Sequence, residues 1–325
     1  MQNNEFNIDN VIQADSKDVL EKLQKGVKKV LGSDNYKDYL RFMGSFRRYS
    51  FNNQLLLYFQ ALSRGIKPTI FAGFTTWKNL DIRVKKGEKA FAVLAPIIKK
   101  VPVVTKKVAV DDELTPTDES TDLTAGNSNE LVEKVVGFRV VKRTFDISQT
   151  DGKIPEICKD LKGAVENKDE ILRSLEEVSG IKFEYADIKG GAKGYFSIAD
   201  NRIVLQSGMS DLQTIKTAIH ETAHSILHCE SGIEANAPRN AKEVQAESVA
   251  FMVSDRLGLD TSDYSFSYIA DWSGKQEDKL LVENFEVIRD TSNKILDGIA
   301  KNTNLAQDIS TVVSNTTSLN KGMTL

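Results

Sequence analysis

The hydrophobic positions in the C-terminal half of this chain recur with a helical period. Residues 215–228 carry apolar side chains at 215, 218, 219, 223, 226 and 227, a spacing that predicts an amphipathic helix. The predicted helix limits are 210–228, and further helices are predicted over 168–178, 239–257 and 279–300. Two alternating runs flank Asp200-Asn201 and predict a β-hairpin over about 190–205.

The N-terminal half contains both helical spacing and the alternating pattern of strands. Helices are predicted over about 19–31, 36–48 and 50–64, where Ser50 or Asn52 is a plausible N-cap and Gly65 suits the position just after the last turn. Strand-like runs follow at 69–74, 90–98, 101–110 and 135–141. The predicted fold class is therefore α+β, with an N-terminal α+β part followed by a mostly helical part that contains a small β-sheet.

One segment departs from both patterns. Residues 111–130 contain seven acidic residues, no basic ones and many Ser and Thr, which is typical of disorder. We interpret about 111–132 as an acidic disordered insert inside a first domain spanning 1–155. A second domain is predicted over 165–300, and 301–325 forms a polar C-terminal tail.

Composition narrows the class of protein. The chain is 40% hydrophobic and 27% charged, which is enough for packed cores. No apolar run approaches the ~20 residues that span a bilayer, and the first residues lack a signal-peptide pattern. Two cysteines, Cys158 and Cys229, indicate no disulfide framework. We expect a cytoplasmic protein with no membrane partner.

The charge is unevenly distributed. Residues 1–110 hold 20 Lys and Arg against 9 Asp and Glu, a balance of +11, so the remainder must carry −14 to give the net −3 of the whole chain. A basic half that binds a polyanion, joined to an acidic half, is the expectation from such an asymmetry.

The predicted helix at 210–228 contains His220-Glu221-Thr222-Ala223-His224, an HExxH motif. Histidines four residues apart lie on one helix face and can bind one Zn²⁺, while the adjacent Glu221 is placed to act as the general base of a hydrolase. The alternative to a metal site is that both histidines are ordinary surface residues. All three histidines of the chain fall within nine positions, which favours the metal site.

A catalytic zinc needs a third protein ligand. The predicted helix at 239–257 carries Glu243 and Glu247 one turn apart. Either carboxylate could bind the metal, and the other could hydrogen-bond a ligating imidazole. Spacing alone leaves the order open.

The segments HETAHSILH, EVQAESVAF and RLGLD resemble the ImmA/IrrE-type metallopeptidases. That resemblance implies a zincin-like domain of the gluzincin type with His220, His224 and Glu243 as Zn²⁺ ligands. Glu247 is then the carboxylate that hydrogen-bonds a ligating imidazole. It implies a zinc-dependent peptidase with Glu221 as catalytic base and an unidentified protein substrate.

The basic half interleaves cations with aromatic residues, a mixture typical of proteins that bind single-stranded nucleic acid. At helical spacing most of the individual aromatics are expected in the core, and the cations could be an ordinary solvated face. Four blocks, FRRYSFNNQLL, GFTTW, VKKGEK and FDISQT, resemble the single-stranded-DNA-binding domain of ArdC-type antirestriction proteins over about 35–152. The candidate DNA contacts are Arg47, Arg48, Tyr49, Asn53, Trp77, Lys85, Lys86 and Lys89.

Together these features predict an antirestriction-type protein of a mobile element, a plasmid, conjugative transposon or phage. It would bind single-stranded DNA and carry a zinc peptidase domain. Two alternatives stay open: a DNA-protecting protein whose zinc domain is not catalytic, and a regulator that cleaves or sequesters a repressor.

Overall fold

The computed structural model describes residues 19, 23, 34–47, 49–102, 131–152, 165–264, 266 and 278–303. In chain order these form α1 (Asp34–Ser45), α2 (Phe51–Ser63), β1 (Phe71–Gly73), α3 (Phe74–Asn79), β2 (Phe91–Pro102) and β3 (Leu131–Asp146). They continue with α4 (Lys168–Ser179), β4 (Phe183–Ala186), β5 (Gly194–Ser197), β6 (Arg202–Gln206), α5 (Asp211–Leu227), α6 (Arg239–Arg256) and α7 (Asp278–Asn302).

The first sheet has the strand order β1-β3-β2, and both pairs are antiparallel. β2 is buried from Phe91 to Ala95, where Gln60 and Asn53 of α2 hydrogen-bond its backbone. Beyond Pro96 the two strands form an exposed ribbon. We name residues 96–102 with 131–139 the β2–β3 ribbon.

The second sheet has the order β4-β6-β5, with β4 parallel and β5 antiparallel to β6. The hairpin predicted around Asp200-Asn201 is confirmed, and Asn201 has a left-handed φ of 48°. β5 lies at an edge of this sheet and contacts α5, the helix that carries the HExxH motif.

One apolar core extends from the N-terminal helices to α7. It contains Tyr36, Tyr39 and Phe51 as well as Phe251 and Phe285. The Tyr36 hydroxyl lies 2.7 Å from Ser248 Oγ of α6, and the Tyr39 and Phe285 rings meet edge to face with centroids 5.2 Å apart. The α1 and α2 helices therefore share buried surface with the helices at 239–256 and 278–302.

Most predicted elements are confirmed, and some limits change. Ser50 caps α2 by accepting from the Asn53 backbone N–H, and Gly65 has a left-handed φ of 65°. The two strands predicted at 90–98 and 101–110 are one strand as far as Pro102. Residues 131 and 132, expected in the acidic insert, lie in β3. The rest of the insert, most of the 19–31 helix, residues 153–164 at the predicted domain boundary and the tail beyond 303 lie outside the described residues.

Among the described residues, no helix is both long and apolar enough to cross a membrane.

Candidate metal centre

Two packed helices supply the candidate metal centre. α5 begins after Ser210, whose hydroxyl accepts from the Gln213 backbone N–H, and α6 begins after Pro238. α5 presents His220 and His224 one turn apart, and α6 presents Glu243. One potential ligand atom from each of these three residues lies within 4.8 Å of the others.

The separations suit a small divalent ion. His220 Nε2 and His224 Nε2 are 3.1 Å apart, and Glu243 Oε2 lies 3.9 Å from the first and 3.7 Å from the second. Ligand atoms about 2.05 Å from a tetrahedral zinc are about 3.3 Å from each other. Two imidazole nitrogens and one carboxylate oxygen at these separations fit Zn²⁺ with little movement.

Glu221 lies beside this cluster and is nearly buried, with 7% of its surface exposed. Burial raises the pKa of its carboxyl, although the nearby His220 and His224 rings act in the opposite direction. The Phe196 backbone of β5 also hydrogen-bonds the carboxylate. A carboxyl held this way retains a proton more readily than an exposed glutamate, which suits a group that takes up a proton and returns it.

Glu247 approaches the other nitrogen of His220. Its Oε2 is 3.5 Å from His220 Nδ1. Burial alone lowers the pKa of His220, but the hydrogen bond with Glu247 and the charges of Glu221 and Glu243 raise it overall. Contact with His224 holds the pKa of Glu243 below its usual range. The arrangement places Glu243 on the metal side of the ring and Glu247 on its far side.

A third histidine, His228, contacts His224, and its role was not predicted from the sequence. His228 is 2% exposed, and its Nδ1 lies 2.9 Å from His224 Nδ1. Its Nε2 lies 2.9 Å from Gln245 Oε1, and Gln245 Nε2 donates to Asn284 Oδ1 of α7 at 2.6 Å. Burial lowers the pKa of His228 to about 4. The spacing His224-x-x-x-His228 was the available signal, because it extends the same helix face by one turn.

The edge strand β5 closes over the site. A Cβ placed on Gly194 would lie 2.7 Å from Thr217 Cγ2 and 3.2 Å from Glu221 Cγ, so glycine permits this close approach. A cavity of about 270 Å³ lies on one side, lined in part by Lys193, Lys216 and Asp263. A cavity of about 430 Å³ lies on the other and includes Tyr195, Phe196, Ile198, Arg239 and Lys242. Both are lined by Gly194, His220 and Glu221.

The structure corrects several of the predicted DNA contacts. Arg47 is 7% exposed and pairs with Asp297 of α7, so its charge is not available to a phosphate. Trp77 is fully buried and its indole N–H donates to the Phe145 carbonyl, so it cannot stack on a base. Asn53 uses its amide to clamp the Leu94 backbone. The partners of these side chains are far away in sequence.

Of the other predicted DNA contacts, the three lysines are exposed and Tyr49 is partly buried. Tyr49 is partly buried and stacks on Phe46 with centroids 4.3 Å apart. Lys85, Lys86 and Lys89 are exposed around Gly87, which has a left-handed φ of 92°. Arg48 lies outside the described residues.

Comparison with known proteins identifies the fold. The crystal structure of the antirestriction protein ArdC from the R388 plasmid, in its metal-free form, superposes with a TM-score of 0.52 at 17% identity, over 86% of this chain and 98% of that one. The chain has an ArdC-like fold. The Mn(II)-bound crystal structure of the same protein gives a TM-score of 0.50 at 16% identity, over 86% and 97% of the two chains.

Sequence comparison supports the same relationship for the N-terminal part. Residues 9–141 match the family described as the N-terminal domain of anti-restriction factor ArdC. An uncharacterized protein of Bacillus anthracis is 27% identical over 290 residues, which are 82% of this chain and 48% of that protein. The chain thus spans about half the length of this curated relative. The ArdC resemblance is confirmed, and the resemblance of the C-terminal part to ImmA/IrrE-type peptidases stays a prediction.

Proposed function

We propose that this chain is an antirestriction-type protein of a mobile element that binds single-stranded DNA and carries a zinc-dependent peptidase centre. The observation that carries the peptidase part is the placement of His220, His224 and Glu243 within 4.8 Å beside the buried carboxyl of Glu221. A closed structural zinc site has four protein ligands and no use for such a carboxyl.

Zinc is the proposed ion. A protein of the same fold has a crystal structure with bound Mn(II), which supports a divalent ion here. Two imidazoles and a carboxylate form a nitrogen-rich set that binds Zn²⁺ more tightly than Mn²⁺. A zinc ion held by these residues supplies Lewis-acid polarisation of a carbonyl and makes a bound water more acidic.

The remaining chemistry belongs to this chain's own groups. During attack of a water molecule on the peptide carbonyl, the Glu221 carboxylate takes one proton from that water and returns it to the leaving amine, so the C–N bond breaks after the C–O bond has formed. Burial favours the protonated carboxyl, so the return step has a ready donor. β5 offers an edge strand beside Glu221, where an extended peptide segment can pair with its backbone.

We assign DNA binding to exposed lysines, because Arg47, Trp77 and Asn53 are engaged in contacts within the protein. Lys85, Lys86 and Lys89 form one exposed group. A second group lies on the β2–β3 ribbon, where Lys99 and Lys134 face each other directly in the strand register. Like charges opposite each other destabilise a strand pair, and a phosphate between them relieves that repulsion.

Exposed aromatic rings suited to base stacking are also present. Phe138 on the ribbon is 46% exposed and Phe74 is 57% exposed. They replace Trp77 as candidates, because a stacking ring must present its face to solvent.

The two activities are separated by one experiment. Cells producing the wild type are compared with cells producing Glu221→Gln by proteomics, and DNA binding is measured on both purified proteins. A protein fragment made only by the wild type supports the peptidase. If both proteins bind single-stranded DNA and protect incoming DNA equally, and no fragment differs, the metal domain is not catalytic. That second candidate function is favoured by the family match at 9–141, which does not include the residues of the candidate metal centre.

A further inference from the structure

A chain of hydrogen bonds connects the candidate metal centre to α7. It passes from His224 Nδ1 to His228 Nδ1 at 2.9 Å, then from His228 Nε2 to Gln245 Oε1 at 2.9 Å. It ends where Gln245 Nε2 donates to Asn284 Oδ1 at 2.6 Å. Three elements contribute: the end of α5, the first half of α6, and α7.

The donor and acceptor of each hydrogen bond in this series can be assigned by starting from Asn284, at the end away from the metal centre. Because the Gln245 amide gives its N–H₂ to Asn284, the oxygen of that amide faces His228 and must accept. His228 Nε2 therefore carries the hydrogen. In a neutral ring Nδ1 is then a bare acceptor, so the hydrogen between the two rings belongs to His224 Nδ1. His224 is left with a lone pair on Nε2.

That lone pair is the one the metal site requires. His224 Nε2 is 3.1 Å from His220 Nε2 and 3.7 Å from Glu243 Oε2, inside the cluster. The opposite tautomer would place a hydrogen on this nitrogen and block coordination. Which nitrogen of a metal-binding histidine is free is set by the hydrogen bond made by the other.

We propose that His228 is a positioning residue that holds His224 in its Nδ1–H tautomer, with Gln245 and Asn284 fixing the direction of the chain. This rests on the proposed function, because it assigns His224 to a metal. The principle is that outer partners orient ligating imidazoles and raise metal affinity. Here the outer partner is a second, buried histidine, whereas His220 has the Glu247 carboxylate.

The tautomer is measured without metal. Because the chain has three histidines, ¹⁵N-histidine labelling gives three ring systems, which single His→Asn variants assign. The expected spectrum of the chelated full-length protein shows His224 protonated on Nδ1 and His228 on Nε2. A spectrum with His224 protonated on Nε2 overturns the proposal.

Metal affinity provides the second readout. His228→Phe retains a buried ring but neither hydrogen bond, and the expected loss of Zn²⁺ affinity in a chelator competition is about 10–100-fold. His228→Asn retains an acceptor at the δ position for His224 Nδ1–H and should return the affinity to within about threefold of the wild type. A purely space-filling role predicts the reverse order, because Phe fills the site better than Asn.

Two further variants keep the test decisive if His228→Phe does not fold. Asn284→Leu removes the acceptor that orients Gln245, and should produce a mixed His224 tautomer, whereas Asn284→Asp keeps that acceptor and should not. Ser225→Ala is the matched control on α5, since its hydroxyl bonds the Thr222 carbonyl and not the chain. An unchanged His224 tautomer in Asn284→Leu counts against the proposal.

The two hypotheses fail in different ways. If wild-type protein binds neither Zn²⁺ nor Mn²⁺, the proposed metal centre is wrong, and the ¹⁵N spectrum still reports the tautomer. If the wild type binds Zn²⁺ and His228→Phe binds it equally well, the metal centre stands and the role of His228 is wrong.

Discussion

His220 and Glu247 meet across α5 and α6, with 3.5 Å between Nδ1 and Oε2. The same ring turns its Nε2 towards Glu243, 3.9 Å away. One imidazole thus lies between two carboxylates of α6 that are a single turn apart. The two glutamates therefore have different roles. Glu243 faces the metal-binding Nε2 of His220, and Glu247 contacts Nδ1 on the opposite side of the ring.

The first prediction follows from that separation. Glu243→Ala should remove a metal ligand and reduce Zn²⁺ binding severely. Glu247→Ala should cost about 10–100-fold in affinity, as loss of an outer partner does. Isothermal titration of each purified variant measures both effects, and Glu247→Gln, which keeps a hydrogen-bonding group, is the matched control. The assignment is reversed if Glu247→Ala empties the site while Glu243→Ala does not.

A second prediction concerns Glu221 and pH. Burial raises the pKa of its carboxyl, so ionising Glu221 costs more free energy in the folded protein than in the unfolded chain. In the unfolded chain its pKa is about 4.3. Glu221→Gln should therefore stabilise the metal-free protein at pH 7, and the gain should disappear as the pH falls through the raised folded pKa towards ~4.3. Urea unfolding at several pH values measures the gain.

The same variant should keep its metal, because Glu221 is not among the ligand atoms of the cluster. Loss of Zn²⁺ from Glu221→Gln would mean that base and ligand have been confused.

A third prediction concerns His228, whose effect on stability changes with pH in the opposite direction to that of Glu221. Its pKa is lowered to about 4 by burial, against about 6.5 in an unfolded chain. The folded state resists protonation, so stability is lost as the pH falls from ~6.5 towards ~4. The loss is about 2 kcal/mol once solvent screening is allowed for. His228→Asn should flatten this part of the stability profile of the chelated protein, and an unchanged profile would contradict the assignment.

Local signals explain what the sequence predicted well. The HExxH spacing and the Glu243/Glu247 pair both depend on helix period, which residues within a few positions of each other determine. The capping of α2 by Ser50 is local in the same way. Helix period therefore sufficed to select His220, His224 and the pair Glu243 and Glu247, and the family resemblance chose Glu243, which the structure brings together with the two histidines.

Long-range packing explains the errors. Arg47 looks like a DNA contact because it belongs to a basic run, yet its partner Asp297 is 250 residues away. Trp77 is buried by β3 and its neighbours. The role of His228 depends on Gln245 and Asn284, on two other helices. Composition and periodicity carry no information about such partners.

A fourth prediction tests the revised DNA surface. Reversing Lys85, Lys86 and Lys89 to Glu should sharply weaken single-stranded DNA binding without changing zinc content. The wild type should show a salt slope near −0.7 per phosphate contact, and the variant a shallower one. Gel shifts at several salt concentrations measure both.

Trp77→Phe is the matched control for that experiment, since it changes a buried ring and should lower stability while leaving DNA affinity intact. Full DNA binding by the triple reversal would place the contacts elsewhere, with the β2–β3 ribbon as the next surface to mutate.

The last prediction concerns the boundary between the two halves. A fragment of residues 1–155 should not fold alone, although it contains the whole basic half. It would lose the contact of the Tyr36 hydroxyl with Ser248, the packing of the Tyr39 and Phe51 rings on Phe285, and the packing of Gly44 against Met252. Each buried aromatic that becomes exposed costs about 2–3 kcal/mol, and a typical domain has only about 5–15 kcal/mol in total.

Circular dichroism and thermal unfolding of the fragment and of the full chain provide the measurement. The fragment should lack a cooperative transition, while full-length Glu221→Gln should unfold cooperatively and bind DNA. A fragment that melts cooperatively and binds single-stranded DNA as tightly as the full chain would show that residues 1–155 are an autonomous domain. In that case the contacts of α1 and α2 with α6 and α7 would be a dispensable interface between two domains and not part of one core.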